Sequence, residues 1–490
     1  MTMFSMARAQ PARLTAFALA AGTLLLAGCT VGPDYRGAPS VAPQALRATQ
    51  FPHARGGVDA DAPAAAAWWV ALHDDTLNTL IDAALAHSPD IRAAQARVRQ
   101  SRASLRGHEG DALPKVNASG TMVHMRSPDT SLLGGNSAAS GRGRGPLELY
   151  IAGFDASWEI DLFGGTRRAV EAASAEADAT QADLADAHVQ LAAEVAQAYV
   201  GLRDQQARLA LVKASAQLED EMLQLTRQRR ARGVASELDV ERLFTQVENT
   251  RARILPLESQ LVESLDQLAL LTGQAPGALD DTLAGAQPLP QVPATIAIGN
   301  PSALLQARPD IRAAERRLAS QNAQIGEQKA KWFPKLSILG DLGFSAMDPG
   351  HLVRKDNLNW FVVPRLQWNV LDFGRVAAAV DQAEAGRDGA AAKYESAVLG
   401  ALRDADVALA RYGHQRENVY RLRSVESSAS RAATLTRQRY AAGTASTLDW
   451  LDAERTRFSA EQDRISGDAQ LLRDFVALQK ALGLGWQVQG

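Results

Sequence analysis

Between Leu184 and Val212 apolar side chains recur at Leu184, Leu191, Val195, Ala198, Leu202, Leu209 and Val212, close to a seven-residue repeat with polar residues between them. That spacing predicts one amphipathic helix with a coiled-coil-like seam. An alanine-rich run, Ala169 to Ala179, extends the pattern upstream, and no proline interrupts it before Gly233. Taken as Gly165 to Ala231, about 67 residues at ~1.5 Å each give a rod of roughly 100 Å. Gly233 suits the left-handed residue that closes a helix C-terminus. Ser236 and Asp239 then form an S-x-x-D capping box that opens the next helix. Gly233-Val234-Ala235-Ser236 is therefore a tight turn between antiparallel helices. A rod this long belongs to a tube, stalk or tunnel.

Residues 30–67, rich in Pro, Ala and Gly, read as an extended tether, and Trp68-Trp69 reads as core packing. A short helix starts near Asp74 or Asp75 with Leu77, Leu80, Ile81 and Leu85 on one face. Ser88-Pro89, cap and first helical residue, starts a second helix running to about Arg106. Period two then replaces period 3.6. Val116 to Met125 alternates loosely. Tyr150, Ala152, Phe154, Ala156, Trp158, Ile160 and Leu162 alternate cleanly with Asp155, Ser157, Glu159 and Asp161. An apolar aromatic face opposite an acidic one, over about ten residues, is the pattern of a transmembrane β-strand; a strand over a soluble core is the plainer alternative. The Gly-, Ser- and Arg-rich stretch from His124 to Glu148 reads as an exposed loop. After the turn at Gly233 one helix is expected from Ser236 to about Leu271, closed by Gly273.

The whole pattern then repeats. Ser88-Pro89-Asp90-Ile91-Arg92-Ala93-Ala94 returns as Arg308-Pro309-Asp310-Ile311-Arg312-Ala313-Ala314, and Leu113-Pro114-Lys115 as Phe333-Pro334-Lys335. Trp158 with Phe163-Gly164 returns as Trp368 with Phe373-Gly374, and Leu225-Thr226-Arg227-Gln228-Arg229 as Leu435-Thr436-Arg437-Gln438-Arg439. Gly443-Thr444-Ala445-Ser446-Thr447-Leu448-Asp449 repeats the first turn with its glycine and capping box. The offset falls from 220 to 210 residues between the second and third matches, so the first strand-to-strand loop is the longer one. Each half reads helix, strand, strand, long helix, shorter helix. Helices of roughly 20 and 37 residues end to end nearly match their ~100 Å neighbour. Four strands cannot close a barrel, and an open edge cannot sit in lipid. The chain must oligomerise; three copies give twelve strands.

Net charge is −3 over 490 residues, which gives nucleic acid no basic surface to bind. Arg8 and Arg13 precede the apolar run Ala16 to Ala27, which ends in Leu26-Ala27-Gly28-Cys29. This is a lipoprotein-type signal peptide, too short to be a transmembrane helix. Cys29 is the single cysteine; it has no disulfide partner and is expected to carry lipid, palmitate included, as the first mature residue. Thr30 after it favours the outer membrane by analogy with bacterial lipoprotein sorting. The expected segments are a signal peptide over 1–28, a lipid-anchored extended stretch over 29–74 and a first repeat over 75–273. A linker over 274–301, a second repeat over 302–483 and a tail over 484–490 complete the chain.

On the lipobox, the Pro-Asp-Ile-Arg and Pro-Lys repeats, Trp158-Glu159-Ile160-Asp161-Leu162-Phe163-Gly164, Leu371-Asp372-Phe373-Gly374 and the two Gly-x-x-Ser-x-Leu-Asp turns, the sequence resembles the TolC-like outer-membrane efflux factors. The nearest branch is the lipoprotein one that includes OprM and NodT. The resemblance implies an α+β membrane protein, a homotrimer whose twelve-stranded β-barrel continues into a long periplasmic α-helical barrel. It also implies docking onto a periplasmic adaptor and an RND-type inner-membrane pump, with outer-membrane lipid around the strands. Tyr440, Asp452 and Arg455 match the family's periplasmic gate; a local i,i+3 pair between Asp452 and Arg455 is the alternative. Their first-repeat equivalents are Arg230, Arg242 and Thr245, so only the second hairpin carries the set. Gly233, Val234, Ser236 and Leu238, with Gly443, Thr444, Ser446 and Leu448, are expected to form the tips that meet the adaptor. Asp239 and Asp449 read as caps. The eight histidines are scattered, and no H-E-x-x-H, G-x-S-x-G or phosphate-binding loop occurs; no enzyme activity and no cofactor beyond the Cys29 lipid are expected. The competing readings are a duct for type I protein secretion and, in another class, a coiled-coil scaffold or adaptor lipoprotein without a barrel.

Overall fold

The computed structural model describes residues 30–48, 50–59, 65–125 and 147–486. Cys29 and the signal peptide, most of the first strand-to-strand loop (126–146) and the last four residues lie outside them. The chain divides into two compact units. One comprises Met1–Ala38, Gln100–Ala177 and Arg316–Ala391; the other Pro39–Arg99, Asp178–Glu315 and Ala392–Gly490.

The main elements, in chain order, are α1 (Asp75–His87), α2 (Pro89–Asp111), β1 (Lys115–Met125), β2 (Leu147–Ile160), α3 (Gly165–Ala231), α4 (Glu237–Ala252), α5 (Ile254–Leu271), α6 (Pro309–Ala330), β3 (Lys335–Ala346), β4 (Leu358–Gln367), α7 (Arg375–Ala441) and α8 (Thr447–Ala481). Both long helices, α3 and α7, contain 67 residues. The duplication read from the sequence is thus a duplication of elements.

Several boundaries differ from expectation. The helix after the first turn is two helices. Pro256 has no N–H to donate, and its ring crowds the carbonyl four residues back, that of Ala252. The helix accordingly ends at Ala252 and resumes at Ile254. Position 466, its counterpart in the second repeat, is serine, and α8 is unbroken over 35 residues. α2 continues five residues past Arg106 to Asp111, and β2 ends at Ile160, leaving Leu162 outside it. The expected tether and linker hold structure of their own. Val58–Asp59 pairs in parallel with Ile296–Ala297, and short helices occupy Pro43–Arg47, Asp280–Leu283 and Pro301–Ala307. In the second repeat Arg308 stands where Ser88 caps α2, and its guanidinium instead binds the Asp310 carboxylate at 2.7 Å and the Ala481 carbonyl at 2.9 Å.

The first unit is built on an antiparallel sheet in the order β1-β2-β3-β4. Its register explains why β1 alternates so weakly as a sequence. Ala118, Phe154, Leu342 and Trp360 form one cross-strand row, and Val116, Ala156, Gly340 and Val362 form another two residues along. The small residues of β1 complete an apolar face whose large side chains come from its neighbours. The intervening row, Asn117, Asp155, Asp341 and Phe361, is largely polar, and Asn117 Nδ2 donates to Asp155 Oδ2 at 2.9 Å. Phe154, Leu342 and Trp360 are 58%, 52% and 71% exposed, so the apolar face is uncovered within one chain. The outer edges of β1 and β4 have no partner among the described residues.

The second unit carries the core. Trp68 packs edge-on against Trp69 and Phe475 at 5.6 and 5.8 Å. Leu77 and Ile81 of α1, Tyr199 and Leu202 of α3, Leu268 of α5 and Val476 of α8 are all fully buried in the same cluster. The Tyr199 hydroxyl donates to Asp74 at 2.7 Å, and burial pushes its pKa up to about 12.

Where β2 meets β3, the two repeats join through facing glycines, Gly153 and Gly343. A Cβ at Gly153 would lie 2.6 Å from the Gly343 Cα and 2.8 Å from the Leu342 carbonyl, whereas one at Gly120 of β1 meets nothing within 4 Å. Gly153→Leu is expected to cost about 1–3 kcal/mol of sheet stability by overpacking. It should lower the fraction of heat-modifiable folded protein on gels, with Gly120→Leu close to wild type. Equal losses in the two variants would show that the close approach at the seam does not matter.

Candidate functional site

Cys29 lies outside the described residues; the other residues singled out by sequence lie at the two helical turns and the helix segments that flank them, all within the second unit. Each turn closes its long helix by the same pair of bonds. The Gly233 amide donates to the Arg230 carbonyl at 2.8 Å and the Val234 amide to Arg229 at 2.9 Å. In the second hairpin Gly443 donates to Tyr440 at 3.0 Å and Thr444 to Arg439 at 2.9 Å. This arrangement needs a left-handed residue, and both glycines have φ of +74°. The next helix starts from a reciprocal cap. The Ser236 hydroxyl accepts from the Asp239 amide at 3.1 Å while the Asp239 carboxylate accepts from the Ser236 amide at 3.1 Å. Ser446 and Asp449 do the same at 3.1 and 2.8 Å. Hydrogen bonds from Ser236, the hydroxyl first and then the backbone, hold the Asp239 carboxyl below its ordinary value. For Asp449 the backbone bond from Ser446 contributes most. Both aspartates thus act as the caps that sequence assigned. Val234 and Leu238 stand 65% and 57% exposed beside them, and Leu448 projects from the second turn.

Tyr440, on the last turn of α7, lies against Trp450 of α8 with ring centroids 5.0 Å apart. Its hydroxyl accepts a hydrogen bond from Arg229 of α3 at 2.9 Å, and the Arg229 guanidinium stands 5.6 Å from the ring centroid. Tyr440 therefore ties the second hairpin to the first within one chain. Arg229 escaped the sequence reading because its own repeat equivalent is another arginine, Arg439, which donates instead to the Thr444 carbonyl of its own turn. Trp450 and Leu451 join Met222, Leu223, Val240, Leu243 and Val247 in a small apolar cluster beneath the turns.

Asp452 and Arg455 are exposed and line one cavity of about 590 Å³ with Glu219, Gln246 and Arg253. Among the described residues neither forms an ion pair, so the local Asp452–Arg455 pair is not made. In the first repeat Arg230 pairs with Glu237 across the turn, and Thr245 bonds the Glu241 carbonyl of its own helix at 2.9 Å. The equivalent positions thus make contacts of a different kind. Glu219, on the cavity wall, is 3% exposed and takes a hydrogen bond from Gln246 at 3.0 Å. Among the described residues no three His, Cys, Asp or Glu side chains are placed to hold a metal ion, and no helix is long and apolar enough to cross a membrane.

Because the caps depend on depressed carboxylates, their stabilisation is present above the ordinary aspartate value near 3.8 and is lost as pH falls through the lower folded value. Amide-exchange protection in the first turns of α4 and α8, corrected for intrinsic rates, should be flat from pH 8 to 5 and fall below about pH 4. Ser236→Ala should remove about 1 kcal/mol of protection at pH 7 in α4 only. A pH-independent profile in the wild-type protein would count against the capping role of the aspartates.

The sequence matches the outer membrane efflux protein family over residues 80–274 and 300–484. It is 32% identical over 474 residues to the antibiotic efflux pump outer membrane protein ArpC of Pseudomonas putida, covering 96% of each chain. It is 29% identical to nodulation protein T of Rhizobium leguminosarum bv. trifolii, covering 97% of this chain and 98% of that one. Among solved structures, the outer-membrane channel OprN superposes with a TM-score of 0.81 at 34% identity, over 94% of this chain and all of that one.

Proposed function

This chain belongs to the outer membrane efflux protein family, and we propose that it is the outer-membrane duct of a tripartite efflux system, a passive exit for small molecules. The observation that carries the reading is the apolar face that runs across β1 to β4 while both outer edges stay open among the described residues. In hydrocarbon every backbone donor and acceptor has to be paired inside protein, and an open edge is excluded. Three copies, edge β4 against edge β1, give a closed barrel of twelve strands with the apolar rows outward and the rows of Asn117, Asp155 and Asp341 toward the lumen. Lipid on Cys29 holds each chain to the outer membrane. The hairpin turns, with Gly233, Val234, Ser236 and Leu238 on one and Gly443, Thr444, Ser446 and Leu448 on the other, are the surface for a periplasmic adaptor. That adaptor couples the duct to an inner-membrane pump of the RND type. The exposed Val234 and Leu238 supply the apolar contact such docking needs.

Tyr440, Asp452 and Arg455 form the gate. Asp452 and Arg455 carry opposite charges, are exposed and have no ionic partner among the described residues of their own chain; in a trimer their partners are the corresponding groups of neighbouring copies. Each exposed pair contributes little alone, which leaves a closed state that adaptor binding can overcome by favouring the open one. Asp452→Ala with Arg455→Ala should raise single-channel conductance in planar bilayers while the trimer stays folded, and Arg242→Ala with Thr245→Ala should do less. Unchanged conductance in the first double variant would reject the gate. Thr444→Cys should cross-link to the adaptor in cells; reaction with membrane-impermeant thiol reagents added to intact cells would instead place the turn outside and reverse the orientation.

A further inference from the structure

The first residues after Cys29 are not a free tether. The Val31 amide donates to the Phe163 carbonyl at 3.1 Å, where β2 gives way to α3. Arg168, only 4% exposed, reaches over the segment from α3. Its Nε donates to the Val31 carbonyl at 3.2 Å, and Nη2 to the Gly32 carbonyl at 3.4 Å and the Asp34 carboxylate at 2.6 Å. From the α6 side, Asn322 Nδ2 donates to the Pro33 carbonyl at 2.9 Å, and the Arg316 guanidinium stands 5.9 Å from the Tyr35 ring centroid.

The floor of this seat is glycine on both sides. A Cβ at Gly164 would lie 2.9 Å from the Thr30 Cα, and one at Gly326 would lie 2.7 Å from the Val31 carbonyl oxygen. The duplication supplies an internal control. Phe163-Gly164 is repeated as Phe373-Gly374, but a Cβ at Gly374 meets nothing within 4 Å. The repeat equivalents of Arg168 and Gly326 are Ala378 and Arg106. The fold needs the Phe-Gly step twice but the seat once, so the seat answers to the N-terminal segment and not to the fold.

Its surroundings suit a membrane boundary. Phe163 stacks on Phe333 at 4.5 Å. Trp158 and Trp368 each donate their indole N–H, at 3.0 Å, to the backbone at the end of the preceding helix, Ala112 and Trp332. Aromatic rings with one bonded polar edge and an apolar body gather at lipid–water interfaces.

We propose that Arg168, with Gly164 and Gly326, forms a seat that fixes the acylated N-terminus at the foot of the strands. This rests on the reading of Cys29 as lipidated. Thr30, the residue that follows Cys29, is itself seated against Gly164, so the segment that leads to the lipid is held where β2 gives way to α3. Arg168 is the positioning residue.

The test is a nitroxide on Arg36→Cys in the full-length protein, purified from outer membranes and held in phospholipid vesicles. Acylated Cys29 does not label, so one spin per chain is expected, with an immobilised spectrum. Arg168→Ala should shorten the label's correlation time several-fold while the heat-modifiable folded form is retained. If that variant does not fold, Asp34→Ala, which removes one exposed carboxylate from the clamp, should still mobilise the label. A label equally mobile with and without the clamp overturns the seat. Two spins per chain overturn the acylation of Cys29; the seat is then read from Arg36→Cys combined with Cys29→Ser, whose single label has to be immobilised and has to be freed by Arg168→Ala. A role for Arg168 in stability only would lower the melting temperature and leave the spectrum unchanged.

Discussion

Backbone hydrogen bonding in a medium without water is the constraint on which the proposed barrel depends. A strand in hydrocarbon cannot leave an N–H or C=O unpaired, and the sheet β1-β2-β3-β4 satisfies itself internally while leaving one free edge at each end. Other features of the first unit follow from that. The facing Gly153 and Gly343 let the strands of the two repeats approach closely at the seam. The face that the proposed barrel turns to lipid is apolar in each of the four strands, although only β2 displays it plainly as a sequence.

What was legible in the chain was periodicity and repetition. The bounds of α3, the left-handed Gly233 and Gly443 and both capping boxes could be read directly, because each rests on local backbone chemistry that one or two residues decide. β1 was harder. Ala118 and Gly120 carry little signal alone, and their role emerges only in register with Phe154 and Phe344. Pro256 could have marked the break between α4 and α5, but it stands inside an otherwise helical pattern that repeats cleanly at α8. The seat for Thr30–Tyr35 was invisible for a different reason. Arg168 lies more than a hundred residues from its partners in that segment, and nothing in an alanine-rich helix announces which arginine will be buried.

The turn region separates two kinds of charge. Asp239 and Asp449 satisfy amides of their own helices and are fixed by local geometry. Tyr440 is fixed by a long-range contact, its hydroxyl on Arg229 and its ring on Trp450. Among the described residues Asp452 and Arg455 have neither kind of tie. Groups that a single chain leaves uncommitted are the ones an assembly can recruit, and here they sit on the unbroken helix α8, two and five residues past the Trp450 on which Tyr440 rests.

The proline at 256 gives the two halves different mechanics. The first hairpin returns from its turn along two segments meeting at Arg253, and a helix that has lost a ladder bond to proline bends at less cost than an unbroken one. The second returns along one continuous helix of 35 residues with a serine where the joint would be. Duplication supplied two copies of one return helix, and a single imino acid interrupted the hydrogen-bond ladder of one of them, leaving the two unequal in stiffness.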